Sequence, residues 1–399
     1  MAAYFNKKMK KLILLAVLLL TACPQQKENK PKDLSAPITP KAELQAAAFD
    51  ELEGWKKDNF FEILPALKKN CQRISKISTD WLANSAIKID TNLYKNICRD
   101  LEKTKFSNSI ELRKFIEERF TPFLVLDDGN ADGKFTAYYE SQINASFQKH
   151  GKYHYPIYQK PNDLIEINLQ DFDKSLPNKR LVGRIDNKKM IPYYNRADIE
   201  NKGINAPVLM WGDSLIDIHV MQIQGSAVAH MDNGEKIRVG FADSNGLPFR
   251  GIGSILLQNK LLPAGKANMI EIKKWLQEHP EEAKKYMQQN PRYIFHRIIK
   301  ETGPLGAFGV PLQGGRSMAV DREIIPLGSL LWLSTTKPNG TPLNKLVAAQ
   351  DIGSAIKGVV RGDYFWGSGG DDVLAAAGSM NSVGKYFILI PKGQRDGLD

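Results

Sequence analysis

Apolar residues along the chain first recur at helical spacing and later gather into short alternating runs. Glu43 to Lys57 is alanine-rich and amphipathic, which predicts a helix. Leu64, Leu67, Cys71 and Ile74 fall three and four residues apart, the spacing of one apolar stripe on a second helix. A third is predicted over Ile110 to Phe120, where Asn108 precedes Glu111 in the manner of a capping box. From Lys134 the texture changes, and apolar runs are broken by Gly, Pro, Asn and Asp. Phe135-Thr-Ala-Tyr-Tyr139, Ile216 to Ile223 and Lys236 to Gly240 read as strands between tight turns. Ala267 to Gln289 interrupts as a helix pair, its second member opening at Pro280 with Glu281 and Glu282 at the positive end of the dipole. Strand texture resumes at Ser329 to Ser334, Leu346 to Gln350 and Lys385 to Ile390. The pattern predicts a mainly β fold with N-terminal helices.

The extreme N-terminus belongs to neither texture. Lys7, Lys8, Lys10 and Lys11 precede an apolar run, Leu12 to Leu20, and then Cys23. That run is roughly half the ~20 residues a spanning helix needs, so residues 1–22 read as an export signal. Leu20-Thr-Ala-Cys23 resembles the lipobox of bacterial lipoproteins, which implies acylation at Cys23. Pro24, rather than an aspartate, follows the cysteine, and the outer membrane is the expected anchor site. Residues 23–42 carry Pro24, Pro31, Pro37 and Pro40 among polar residues and read as a disordered tether. The chain of 399 residues has room for one large or two medium domains. Of the formal net charge of +11, the four leader lysines hold four, which leaves +7. Such a balance favours an acidic partner, but no dense Lys/Arg block follows the leader, so nucleic acid is not expected. Cys71 and Cys98 either pair in an oxidising compartment or stay as buried thiols.

Several chemistries drop out. Asp128-Gly-Asn130-Ala-Asp132-Gly133 begins like a calcium loop, but its twelfth position is Tyr139 and a polar turn is the better reading. The six histidines are scattered, and no zinc pattern, phosphate loop or nucleophile elbow is present in the sequence. No metal and no cofactor is expected. What stands out is a trio of aspartates in glycine-rich sequence, Asp321, Asp351 and Asp363. Asp321 reads as a turn carboxylate. Asp351 and Asp363 lie beside glycines that let a large ligand approach closely. Asp363 also precedes Tyr364-Phe-Trp366, rings that would either raise a carboxyl pKa or simply fill a core. A carboxyl is the expected working group, and glycosidic bond cleavage is the reaction class that needs little else.

Phe135-Thr-Ala-Tyr-Tyr-Glu140, Met221-Gln-Ile-Gln-Gly-Ser226, Asn290-Pro-Arg-Tyr-Ile-Phe295 and the three-aspartate segment occur in one order. Together, over roughly residues 120 to 393, they resemble the membrane-bound lytic murein transglycosylase A family. The resemblance implies a double-psi β-barrel domain with a smaller β-rich domain inserted in it. Residues 43–141 would hold the N-terminal helices and first part of the barrel, 142–299 the insertion, and 300–399 the second part. It implies that Asp363 is catalytic, first as acid and then as base, in forming 1,6-anhydromuramic ends from peptidoglycan glycan strands. Thr136, Tyr138, Gln224 and Ser226 would line the groove, and Asp351 and Lys357 would lie near Asp363. Ala137 stands where the family motif has glycine and Ser141 where proline often follows, which bears on the fit of substrate. Cell-wall synthesis or division proteins are candidate partners. A hydrolytic muramidase using Asp363 with Asp351, and a non-catalytic peptidoglycan-binding lipoprotein, are the alternatives.

Overall fold

The structure is a computed structural model and describes residues 42–394. The signal segment, Cys23 and nearly all of the expected tether lie outside the described residues.

Six strands close on themselves: β1 (Gly133–Ser146), β2 (Ser317–Val320), β3 (Leu330–Thr336), β4 (Pro342–Asp351), β5 (Arg361–Ser368) and β6 (Asn381–Pro391). Pairing runs β6–β3–β4–β2–β5–β1 and returns from β1 to β6. The β2–β4 and β5–β1 contacts are parallel and the others in the ring antiparallel. β3 is apolar without alternation because both of its faces are covered. Leu331, Trp332 and Leu333 share one core with Leu67, Tyr94 and Ile116, which belong to α1 (Leu64–Ile74), α2 (Thr91–Lys103) and α3 (Ser109–Arg119). Of the two states the sequence allows for the cysteines, the paired one is found: Cys71 and Cys98 form a disulfide that joins α1 to α2.

Asn108 caps α3 as its sequence predicts, accepting from the Glu111 amide at 3.0 Å while Glu111 accepts from the Ser107 amide at 2.7 Å. The expected helix over Glu43 to Lys57 does not form. Ala42–Ala46 is a strand paired with Phe120–Asp127, and two short 3-10 turns follow. Gly54, at φ 76°, turns the chain so that Trp55 packs on Phe60 and Trp332. Edge pairing and that buried ring outweigh alanine's helix preference.

The expected strand from Ile216 to Ile223 is instead α4 (Leu215–Gln224). Ser214 caps it by accepting from the Asp217 amide at 3.1 Å, and Gly225 ends it in the left-handed region at φ 89°. The run is apolar nearly all round because Ile218 to Gln222 are buried, so alternation could not distinguish strand from helix. The calcium-like stretch is a hairpin turn, with Asp128 at φ 52° and Gly129 at φ 75° between Asp127 and Asn130, which exchange backbone bonds.

β1 is long enough to leave the ring. Its first half pairs with β5, and Ser141 to Ala145 pair in parallel with the strand Ser226–Met231. Lys236–Ser244 and Ile294–Ile299 continue that sheet outward. Glu140 sits at the crossover, fully buried, with its carboxylate 2.7 Å from Arg238 Nε and accepting from the Ser368 hydroxyl. A burial this deep is tolerated because both carboxylate oxygens are partnered.

Candidate active site

The parallel β5–β1 pair sets the site. Its register places Asp363 beside Thr136 and Phe365 beside Tyr138. Side chains two apart on a strand share a face, so Arg361, Asp363 and Phe365 line up with Lys134, Thr136 and Tyr138. The intervening residues point the other way. Ala137 packs among Tyr139, Val220 and Trp366, so its methyl adds to that cluster rather than to the face carrying Asp363.

Asp363 is half-buried and accepts a hydrogen bond at Oδ1 from the Thr136 hydroxyl. Burial raises its pKa, while Thr136 and the Arg361 charge pull it down. Asp351, at the end of β4, is held at both oxygens. Oδ1 accepts from the Ala307 and Ile352 amides at 2.9 Å each, and Oδ2 from the Tyr138 hydroxyl at 2.8 Å. Burial pushes Asp351 up to about 6 against these bonds, with the Asp363 charge adding to the rise. Tyr138 keeps its proton, since burial and then the Asp351 and Asp363 charges push it well above the usual phenol range. Its ring lies 5.1 Å from that of Phe365. The aromatics after Asp363 divide by face: Phe365 backs the site, whereas Tyr364 is buried and donates to the Gly315 carbonyl at 3.0 Å.

The remaining expected site residues lie further out in role. Gln224, the last residue of α4, accepts from the Tyr139 amide at 3.1 Å and so ties the helix to β1. Ser226 is buried, and its carbonyl accepts from the Ser141 hydroxyl at 3.2 Å. Lys357 bonds Asp321 at 3.0 Å and Glu323 at 3.2 Å. Asp321 also accepts from the Glu323 and Gly358 amides, a carboxylate clamping two loops. Arg361 was not singled out in the sequence, although period two places it on the face of Asp363. Among the described residues no group of three or more His, Cys, Asp or Glu side chains is placed to hold a metal ion.

Two raised carboxyls flanking a protonated tyrosine form a site for moving protons. Fold and site define a mainly β protein with two raised carboxyls, Asp351 and Asp363, at one end of its strand ring. The chain matches the MltA specific insert domain over residues 134–297 and the 3D domain over residues 316–390. It is 30% identical over 307 residues to the membrane-bound lytic murein transglycosylase A homolog of Buchnera aphidicola, covering 75% of this chain and 76% of that one. The crystal structure of membrane-bound lytic murein transglycosylase from Agrobacterium tumefaciens superposes with a TM-score of 0.78 at 27% identity, covering 88% of this chain and 98% of that chain. That of MltA from Neisseria gonorrhoeae gives 0.76 at 29% identity, covering 90% and 95%. The chain belongs to the membrane-bound lytic murein transglycosylase A family.

Proposed function

We propose that this protein is a lytic transglycosylase of the cell envelope, cleaving the β-1,4 bond between N-acetylmuramic acid and N-acetylglucosamine. Asp363 gives its proton to the glycosidic oxygen as the bond from the anomeric carbon breaks. The C6 hydroxyl of the same muramic residue attacks that carbon, and the Asp363 carboxylate takes up the hydroxyl proton. A 1,6-anhydro ring forms, the acid is regenerated and water is not consumed. One carboxyl suffices because the nucleophile is already attached to the sugar and gains effective molarity from it.

The observation that carries the reading is the state of Asp363: half-buried, raised by that burial, yet oriented by Thr136. Asp351 fits a supporting part better than that of a second base, since three donors already occupy its oxygens. The six-stranded ring supports a double-psi barrel, and the excursion of β1 into a second sheet supports an insertion over residues 142–299. Thr136, Tyr138, Gln224, Ser226 and Lys357 are proposed to bind or border the glycan, with outer-membrane attachment through a lipid on Cys23.

Digestion of purified sacculi by the chain lacking residues 1–23, with products weighed by mass spectrometry, tests this. Muropeptides lighter by one water per muramic end are expected. Reducing-end products would make the enzyme a hydrolase, and binding without any products would leave an envelope-binding protein.

A further inference from the structure

Arg361 precedes Asp363 by two residues on β5 and reaches across to β1. Its Nη2 donates to Thr136 Oγ1 at 2.8 Å. Nη1 donates to the Lys134 carbonyl at 3.1 Å and to the Gly362 carbonyl, so the guanidinium is clipped to both strands of the parallel pair. Thr136 Oγ1 in turn donates to Asp363 Oδ1.

The chemistry of these groups gives the chain a direction. A guanidinium has donors only, and a threonine hydroxyl has a single proton. Arg361 occupies one of the two lone pairs of that oxygen and repels a further donor there, which turns its single proton toward Asp363. Without Arg361 the hydroxyl is at liberty to turn and accept from the protonated Asp363, which would hold the proton that the reaction must release.

On the reading of function above, we infer that Arg361 is a positioning residue: it favours the Thr136 hydroxyl as a donor to Asp363 Oδ1, which leaves Oδ2 to carry the transferable proton. Lys134, on the same face of β1, is a second cation nearby, but it pairs in register with Arg361 rather than with Asp363, whose pKa the Arg361 charge lowers. β1 contributes Thr136 and the neutral Tyr138, Asp351 at the end of β4 carries the same charge as Asp363, and β2 sets Ala319 at the paired position. Arg361 is the charge that opposes the effect of burial on Asp363.

The test combines Arg361→Met, which keeps much of the stem, Arg361→Lys, which keeps the charge, and Thr136→Val, alone and with Arg361→Met. Two readouts are taken on the folded chain. The first is the carbon NMR titration of the Asp363 carboxyl without substrate, assigned with Asp363→Asn. The second is kcat and KM for release of anhydromuramic ends from soluble glycan strands. Arg361→Met is expected to raise the Asp363 midpoint and to lower kcat about 10- to 100-fold with KM little changed. Arg361→Lys should restore the midpoint but only part of kcat. With Thr136→Val already present, Arg361→Met should lower kcat only about 2-fold, because both act through one hydroxyl. An unshifted Asp363 midpoint in Arg361→Met would overturn the inference, as would an equal loss of kcat with and without Thr136. Should the parent enzyme release no anhydromuramic ends, the reading of function falls, while the titration still decides the placement of Arg361.

Discussion

At the scale of single residues, the site is a contest between burial and donors. Asp351 has an ordinary carboxyl pKa near 3.8 and is pushed to about 6 in the fold, first by burial. A carboxyl raised in the folded state favours folding in its neutral form. The folded chain therefore binds more protons than the unfolded chain between those values, and stability falls as pH rises from about 4 through about 6. Above that window a constant penalty remains. Asp351→Asn keeps an oxygen for the Ala307 and Ile352 amides and places an amide at Tyr138, which accepts it. Thermal melts should find this variant more stable than the parent at pH 8, by about 1–2 kcal/mol once partial solvent access is allowed for, and equal to it at pH 3. An equal difference at both pH values would show that the charge is not the cause. Asp363→Asn, by contrast, should abolish lysis of sacculi while leaving sacculus pelleting intact, because it removes a proton donor and little shape. Undiminished lysis would refute the catalytic part given to Asp363.

At the scale of elements, legibility followed how locally each signal was written. The α3 cap, the strands around Phe135 and Lys236 and the helix start at Pro280 were readable because their determinants sit within a few residues. Ile216 to Ile223 misled because it is buried on most sides, and its helical state was signalled only by Ser214 before it and Gly225 after it. Glu43 to Lys57 misled because its partner strand lies some eighty residues away. The site split in the same manner. Asp363 and Thr136 were visible as motif residues, whereas the bond from Tyr138 to Asp351 depends on ring closure that no spacing records. Two elements lend themselves to test. The bond between Cys71 and Cys98 ties α1 to α2 across 27 positions, and Cys71→Ser with Cys98→Ser should lower stability by about 3–4 kcal/mol in denaturant titrations. Gly133 opens β1 where an added Cβ would come within 1.8 Å of the Val360 carbonyl oxygen. Gly133→Ala should cost about 1–3 kcal/mol by forcing β1 away from the chain that leads into β5, and activity should fall with it. A neutral melt for Gly133→Ala would mean the strands part at little cost.

At the scale of the whole molecule, the ring is braced from outside as well as filled from within. The side chains of Arg316 and Asp58, both fully buried, face each other at 2.6 and 2.7 Å and tie the N-terminal turns to the ring. Such a pair is strongly destabilising to break from one side, so Asp58 is a poor place for any change. The charge of +7 carried outside residues 1–22 raises a separate question about attachment, since a basic protein adheres to anionic membrane surfaces without any anchor. Salt separates the two modes. At 1 M the screening length is about 3 Å, so adhesion through surface charge is lost, while a buried acyl chain is indifferent to it. Membranes from cells making the full chain should keep it through a 1 M salt wash and release it to detergent. Cys23→Ala should move it to the soluble fraction, or leave it uncleaved behind its signal, with mobility on a gel distinguishing these. Release of the parent chain by salt alone would mean that charge, and not lipid, brings the ring and its carboxyls to the wall.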